Sequence, residues 1–318
     1  MRTPSIAAIG ECMLELSRRP ANAAIDPSAT ALAYGGDSLN TTLYLSRLGC
    51  AVNYVTALGD DSLSSWMIDS WEQEGIDCAL VDRHPGGVPG LYFIETDAAG
   101  ERSFLYWRDQ APAKRLFDDA VARERLFTEL INFNYLYLSG ITLAVLSDVS
   151  RAALLEWLPT YRASGGKVIF DNNYRPRLWA SQQAAQLGYR QMYGLSDIAL
   201  PTYEDEVLLF GTETEESVLE RLTGYGVNTV VLKLGERGCR VKTATDDTRV
   251  SAYSVIPRDT TAAGDSFNAG FLAGFLNGKS LVASADQGCR LASVVVQHPG
   301  AIIDKSLLED FTSKDSLA

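Results

Sequence analysis

The chain has 318 residues, 46% of them hydrophobic, and a formal net charge of −12. That length and apolar fraction suit one large α/β domain with a sizeable core and at most a small appended element. The acidic balance excludes nucleic acid and anionic membrane surfaces as natural partners, because like charges repel.

In chain order, residues 5–10 read as a first buried strand. This apolar run is too short for a signal peptide or a membrane span, and no other run approaches the ~20 residues a span needs, so the expected compartment is the cytoplasm. The five cysteines (Cys12, Cys50, Cys78, Cys239 and Cys289) have no zinc-like spacing and are expected to be buried free thiols. Next comes Gly35-Gly36-Asp37-Ser38-Leu39-Asn40. Two glycines permit close backbone approach, and the Asn40 amide can both donate to and accept from a ligand hydroxyl. Residues 53–58 read as a strand and 62–74 as a helix.

Residues 91–96 and 102–108 break the pattern, reading as antiparallel strands joined by Asp97-Ala98-Ala99-Gly100. Gly100 suits the left-handed position of a three-residue hairpin loop that pairs Asp97 with Glu101. Ile94 then lies opposite Phe104, and Tyr92 opposite Tyr106. Side chains two apart share a face, so Tyr92, Tyr106 and Arg108 project together. Such a hairpin serves either as a lid over a cleft or as plain packing with Arg108 in solvent.

Further strands are expected at 135–139, 167–171, 197–200 and 228–234, with helices at 147–164 and 215–225. This alternation predicts a mostly parallel sheet covered by helices, with ligands bound outside the carboxyl ends of the strands. Strand 167–171 runs straight into Asn172-Asn173-Tyr174-Arg175-Pro176-Arg177. Arg175 is thereby set at the ligand edge, and a guanidinium suits a carboxylate. Arg177 is expected in solvent.

The strongest local signal is Asp259-Thr260-Thr261-Ala262-Ala263-Gly264-Asp265, followed by a helical run rich in small residues. Unpaired N–H groups at a helix start bind anions, and small residues let a phosphate approach. Asp265 falls in the first turn. There it is either a helix cap or a general base beside the bound anion. No G-x-x-x-x-G-K-[ST] loop occurs, which closes the P-loop route; no G-x-G-x-x-G follows a strand, so dinucleotide binding has no support; and the two histidines offer no metal cluster and no triad with a nucleophile elbow.

Asp259 to Asp265 resembles the C-terminal signature of ribokinase-like (pfkB) carbohydrate kinases. Gly35, Gly36, Asn40, Thr42, Gly49 and Gly59 resemble the N-terminal one. The likeness covers nearly the whole chain. It implies a three-layer α/β/α fold with a mostly parallel central sheet. It further implies a small antiparallel β lid, from about residues 11–34 and 88–109, within one kinase domain spanning 1–318. Within the family, the chain is most similar to 2-keto-3-deoxygluconate kinases. That likeness rests on Ile9 to Met13, Pro89-Gly90-Leu91-Tyr92, Tyr106-Trp107-Arg108, Asp171 to Trp179 and Gln297-His298-Pro299-Gly300-Ala301.

The resemblance implies ATP and Mg²⁺ as partners of a sugar-acid substrate, and leaves a monovalent cation open. It makes Asp265 the base and the amides of Ala262, Ala263, Gly264 and Asp265 the anion hole. Gly35, Gly36 and Asn40 would hold the substrate chain, and Tyr92, Tyr106, Arg108 and Arg175 its carboxylate end. Lys233, Gly235, Gly238 and Gly264 would lie by the nucleotide, with Ala301 near the adenine. The family's magnesium-organising Asn and Glu are here Thr202 and Asp205, with Glu206 beside them; Asp205 is the expected metal residue, acting through water. Relatives often pair through their lids, so a homodimer or higher homo-oligomer is expected, with Leu91, Phe93, Leu105 and Trp107 as interface candidates. Alternatives are a kinase for fructose, ribose or a nucleoside, and a sugar-sensing binding protein that has lost catalysis.

Overall fold

The computed structural model describes residues 4–18, 30–96, 102–211 and 214–308. Its strands, in chain order, are β1 Ile6–Ile9, β2 Met13–Arg18, β3 Thr30–Gly35, β4 Val52–Gly59, β5 Val81–His84, β6 Leu91–Thr96, β7 Arg102–Trp107, β8 Tyr135–Ser139, β9 Lys167–Asp171, β10 Ile198–Ala199, β11 Thr229–Lys233, β12 Cys239–Lys242 and β13 Asp247–Val250. They form a nine-stranded sheet in the order β13-β12-β11-β10-β9-β8-β1-β4-β5 and a four-stranded sheet in the order β3-β2-β6-β7. In the large sheet every pairing from β5 to β11 is parallel; only the β11–β12 and β12–β13 pairings are antiparallel.

The large sheet is the middle of three layers. Alternate residues of β1 feed separate cores: Ile6 and Ala8 join one apolar cluster, Ala7 and Ile9 the other. The first cluster includes Leu39 and Leu43 of the helix Asp37–Arg47, and the second Leu154 and Leu158 of the helix Asp148–Ala163. A strand buried on both faces needs no polar alternation, which is why these segments are near-continuous apolar runs. The expected strands and helices are present, with ends shifted by a residue or two; 135–139 and 167–171 match end to end.

The helix Ala263–Leu276 packs against Leu281–Val295. Backbone is in near contact there: a Cβ at Gly270 would lie 2.8 Å from the carbonyl oxygen of Gln287. The small-residue stripe thus serves helix packing, while only the start of the helix faces the cleft. All five cysteines are buried and free.

In the small sheet the hairpin register is as expected, with Tyr92 opposite Tyr106 and Ile94 opposite Phe104. The Asp97–Glu101 pairing falls outside the described residues. The sheet is mixed rather than antiparallel, because β2 and β6 pair in parallel. Both strands leave the body at the same edge, so they run the same way. Among the described residues no helix is long and apolar enough to cross a membrane.

Candidate active site

A cleft of about 390 Å³ opens at the carboxyl ends of the parallel strands. Its walls bring together segments far apart in the chain: Asp37 and Asn40, the end of β9 with Asp171, Asn173 and Arg175, then Thr202 and Asp205, Lys233, and the loop 260–265. The volume is within the ~300–1,000 Å³ typical of small-molecule sites.

Asp265 sits in the first turn of the helix Ala263–Leu276 and is 9% exposed. Its Oδ2 accepts a hydrogen bond from the Asn40 side-chain amide at 2.8 Å. Burial pushes its carboxyl up to about 7, helped by the like charges of Asp37 and Asp171 and opposed by Asn40 and Lys233. Asp37 is raised too, mainly by burial, although Asn173 donates to it at 2.8 Å. Behind them lies a closed polar network. Lys233 Nζ donates to Asp171 Oδ1 at 2.9 Å and to Asn268 Oδ1 at 3.1 Å. Asn268, one turn beyond Asp265, donates to Asp171 Oδ2 at 3.0 Å and to the Tyr137 hydroxyl at 3.2 Å.

The loop before Asp265 is held in an uncommon conformation. Ala262 has φ +58° and Asn173 has φ +23°; both line the cleft, and they are the positive-φ residues other than glycine among the described residues. Each costs roughly 1–2 kcal/mol, a strain that recurs at ligand-binding sites. Ala262 turns the chain into the helix. Its carbonyl accepts the first intrahelical bond, from Ser266 N at 2.9 Å, so the amides of residues 263–265 have no partner one turn back. Ala263 N instead closes a turn onto the Thr260 carbonyl at 3.2 Å. Asp259 braces the loop from behind, accepting from Thr261 N at 3.0 Å and Gly300 N at 2.7 Å.

A model of pfkB family carbohydrate kinases matches residues 3–307. The chain belongs to that family. The 2-dehydro-3-deoxygluconokinase of Escherichia coli K12 is 46% identical to the kinase over 311 residues, 95% of this chain and 98% of that one. The enzyme of the same name from Dickeya dadantii is also 46% identical, with the same coverage. The structure of a 2-dehydro-3-deoxygluconokinase from Thermotoga maritima superposes with a TM-score of 0.82 at 22% identity, over 98% of this chain and 99% of that one.

Of the expected site residues, Asn40, Arg175, Asp205, Lys233, Ala262, Ala263, Gly264 and Asp265 line the cleft of the kinase. Arg175 is half-exposed and lies 3.6 Å from Asp205. Gly35, Gly36, Tyr92, Tyr106 and Arg108 lie outside the cleft wall, on the strands of the small sheet or next to their ends. There Tyr92 donates to Glu15, Arg108 pairs with Glu11, and the Tyr92 and Tyr106 rings are 6.1 Å apart. Gly235 and Gly238 flank the turn between β11 and β12, both with positive φ. Ala301 accepts a hydrogen bond from the Tyr44 hydroxyl at 2.8 Å.

Glu206 does not stand beside Asp205 in the cleft. It is fully buried, held by Asn172 at 2.9 Å, by Arg221 at 3.0 Å and by the Tyr193 hydroxyl. Consecutive helix positions point about 100° apart, so only one of the two can face the cleft. No motif in the sequence points to Asp37, Asn173 or Asn268, and Asp171 stands out only by position. Asp171 had a usable signal as the last residue of a buried strand at the ligand edge; Asn268 had none beyond its place one turn after Asp265.

Proposed function

We propose that the kinase transfers the γ-phosphoryl group of ATP to the terminal hydroxyl of 2-keto-3-deoxygluconate, the compound named 2-dehydro-3-deoxygluconate in its relatives. The product is 2-keto-3-deoxy-6-phosphogluconate. The observation that carries this reading is Asp265. It is a buried carboxylate raised to about 7, at the start of a helix whose first amides lack intrahelical partners. A base with such a pKa accepts a proton from the attacking hydroxyl near neutral pH. The amides of Ala262, Gly264 and Asp265 stabilise charge on the phosphoryl group as it moves, while Ala263 N stays in its turn with the Thr260 carbonyl. Asn40 holds Asp265 through its amide, and its Oδ1, buried without a partner, is an acceptor for a substrate hydroxyl.

The small sheet is read as a lid that excludes water, with Tyr92, Tyr106 and Arg108 toward the substrate's carboxylate and Arg175 reaching it from the sheet edge. Lys233 and the 235–238 turn are assigned to the nucleotide side, with Ala301 by the adenine. Among the described residues no three His, Cys, Asp or Glu side chains gather to hold a metal directly. Mg²⁺ keeps several waters and binds mainly through nucleotide phosphates. Asp205, on the cleft wall, is the residue that would hold it through water. Bound with ATP, Mg²⁺ neutralises phosphate charge.

Leu105 and Trp107 are exposed on one face of the small sheet, at 45% and 58%, whereas Leu91 packs partly against the core. A second copy of the chain is the proposed cover for that face, and light scattering at the mass of one chain would reject it. The proposed setting is the cytoplasm. A monovalent cation requirement is tested by comparing turnover in potassium and in tetramethylammonium salts.

ATP consumption across 2-keto-3-deoxygluconate, 2-keto-3-deoxygalactonate, fructose, ribose and adenosine tests the substrate. Turnover restricted to the keto acids is expected. Preference for a neutral sugar overturns the carboxylate pocket, and no turnover on any of them overturns the enzyme reading.

A further inference from the structure

Glu11 lies where the body and the small sheet join. It follows β1, and its side chain is 1% exposed. Arg108, immediately after β7, reaches back to it as an ion pair, with its own side chain 14% exposed. The other links between body and sheet press on the same residue. A Cβ at Gly36, between β3 and the helix Asp37–Arg47, would lie 2.3 Å from the Glu11 carbonyl oxygen. A Cβ at Gly90, just before β6, would lie 3.2 Å from both Glu11 Oε1 and Arg108 Cβ. Leu14, on the strand Glu11 leads into, donates its N–H to the Gly90 carbonyl at 2.8 Å. Gly36 thus abuts the backbone of Glu11, and Gly90 and Arg108 meet its buried carboxylate.

The pair is incompletely satisfied. Glu11 Oε1 and Arg108 Nε are both buried without a hydrogen-bond partner. A buried N–H left unmade is costly, and an incoming oxygen removes that cost. Guanidinium carries five donors in a rigid fork, so it can stay bound to Glu11 while another edge takes a second anion.

We propose that Glu11 is the positioning residue for Arg108: it anchors the guanidinium at the junction of body and small sheet, so that the sheet's orientation and the direction of the cation toward a carboxylate substrate are set together. This rests on the reading of Arg108 as a ligand of the substrate's carboxylate. A neutral residue in place of Glu11 could keep one hydrogen bond but not the counter-charge. Arg108, already near the surface, would then turn to solvent.

The test is steady-state kinetics on Glu11→Gln, Arg108→Ala and the double variant, with 2-keto-3-deoxygluconate and its neutral C1 amide. Glu11→Gln is expected to raise KM for the acid tenfold or more, with kcat and KM for ATP within about twofold. It should barely alter KM for the amide. The double variant should be no worse than Arg108→Ala, because the two residues act as a unit. An unchanged or lower KM in Glu11→Gln, while Arg108→Ala raises it, overturns the positioning role and leaves the carboxylate reading intact. Additive losses in the double variant overturn it too. If Arg108→Ala itself leaves KM for the acid unchanged, the carboxylate reading falls, and this inference with it. Should Glu11→Gln not fold, Glu11→Asp keeps the charge on a shorter arm; a raised KM for the acid alone is expected, and equal losses on acid and amide overturn the proposal.

Discussion

Asn40 and Asp265 are separated by 225 residues of chain and joined by a 2.8 Å hydrogen bond. One belongs to the helix that follows the Gly35-Gly36 pair, the other to the helix that follows the small-residue loop. Their contact brings the two glycine-containing segments to one cleft and fixes the direction of the Asp265 carboxylate.

Asp265→Asn is expected to lower kcat by about 10²–10⁴-fold while the fold is kept, the usual contribution of a general base. Turnover within tenfold of the parent would remove Asp265 from the base role. The same variant should be more stable at neutral pH. The folded state holds the Asp265 proton up to about 7, above the usual carboxylate range, so folding loses stability as pH rises from about 4 through 7. Removing the charge recovers roughly 1–4 kcal/mol above pH 7 and nothing below about pH 4. Thermal melts at pH 4 and pH 8 measure the difference.

The acid limb of kcat/KM should be centred near pH 7, where Asp265 ionises. Asp37 and Asp171 face Asp265 with like charge, while Lys233 opposes them. Asp37→Asn removes the larger like-charge contribution, so Asp265 ionises more readily and the limb moves to lower pH. A pH profile between 5 and 9 reads this directly; a limb that stays in place, or moves up, contradicts the electrostatic account.

Lys233→Met should destabilise the protein by about 3–5 kcal/mol, because it strands the Asp171 carboxylate, 2% exposed, without its cation. Asp171→Asn in the same chain should recover part of that loss. Denaturant melts of the two single variants and the double give the coupling, and a loss in the double equal to the sum of the two single losses would mean that the pair carries no net charge interaction.

Asp205 and Glu206 should separate cleanly. Asp205→Asn is expected to raise the Mg²⁺ concentration needed for half-maximal turnover severalfold, with little change in stability. Glu206→Ala should leave the Mg²⁺ dependence unaltered and cost about 3–5 kcal/mol, since it removes the buried carboxylate on which Arg221, Asn172 and Tyr193 converge. Magnesium titrations beside thermal melts distinguish them.

Features that depend on near neighbours are legible along the chain. The buried strands stand out as unbroken apolar runs. Loop chemistry and two-residue alternation set the Tyr92–Tyr106 register. Asp265 falls in the first turn because small residues precede a helical run. The tertiary structure alone decided what depends on distant segments. The small sheet is mixed because β2 and β6 leave the body at one edge. Asp171, Lys233 and Asn268 close into one network. Arg108 is committed to Glu11, 97 residues away. Local patterns report which face a side chain takes; only packing reports what meets it there, and the chemistry of this cleft lies in those meetings.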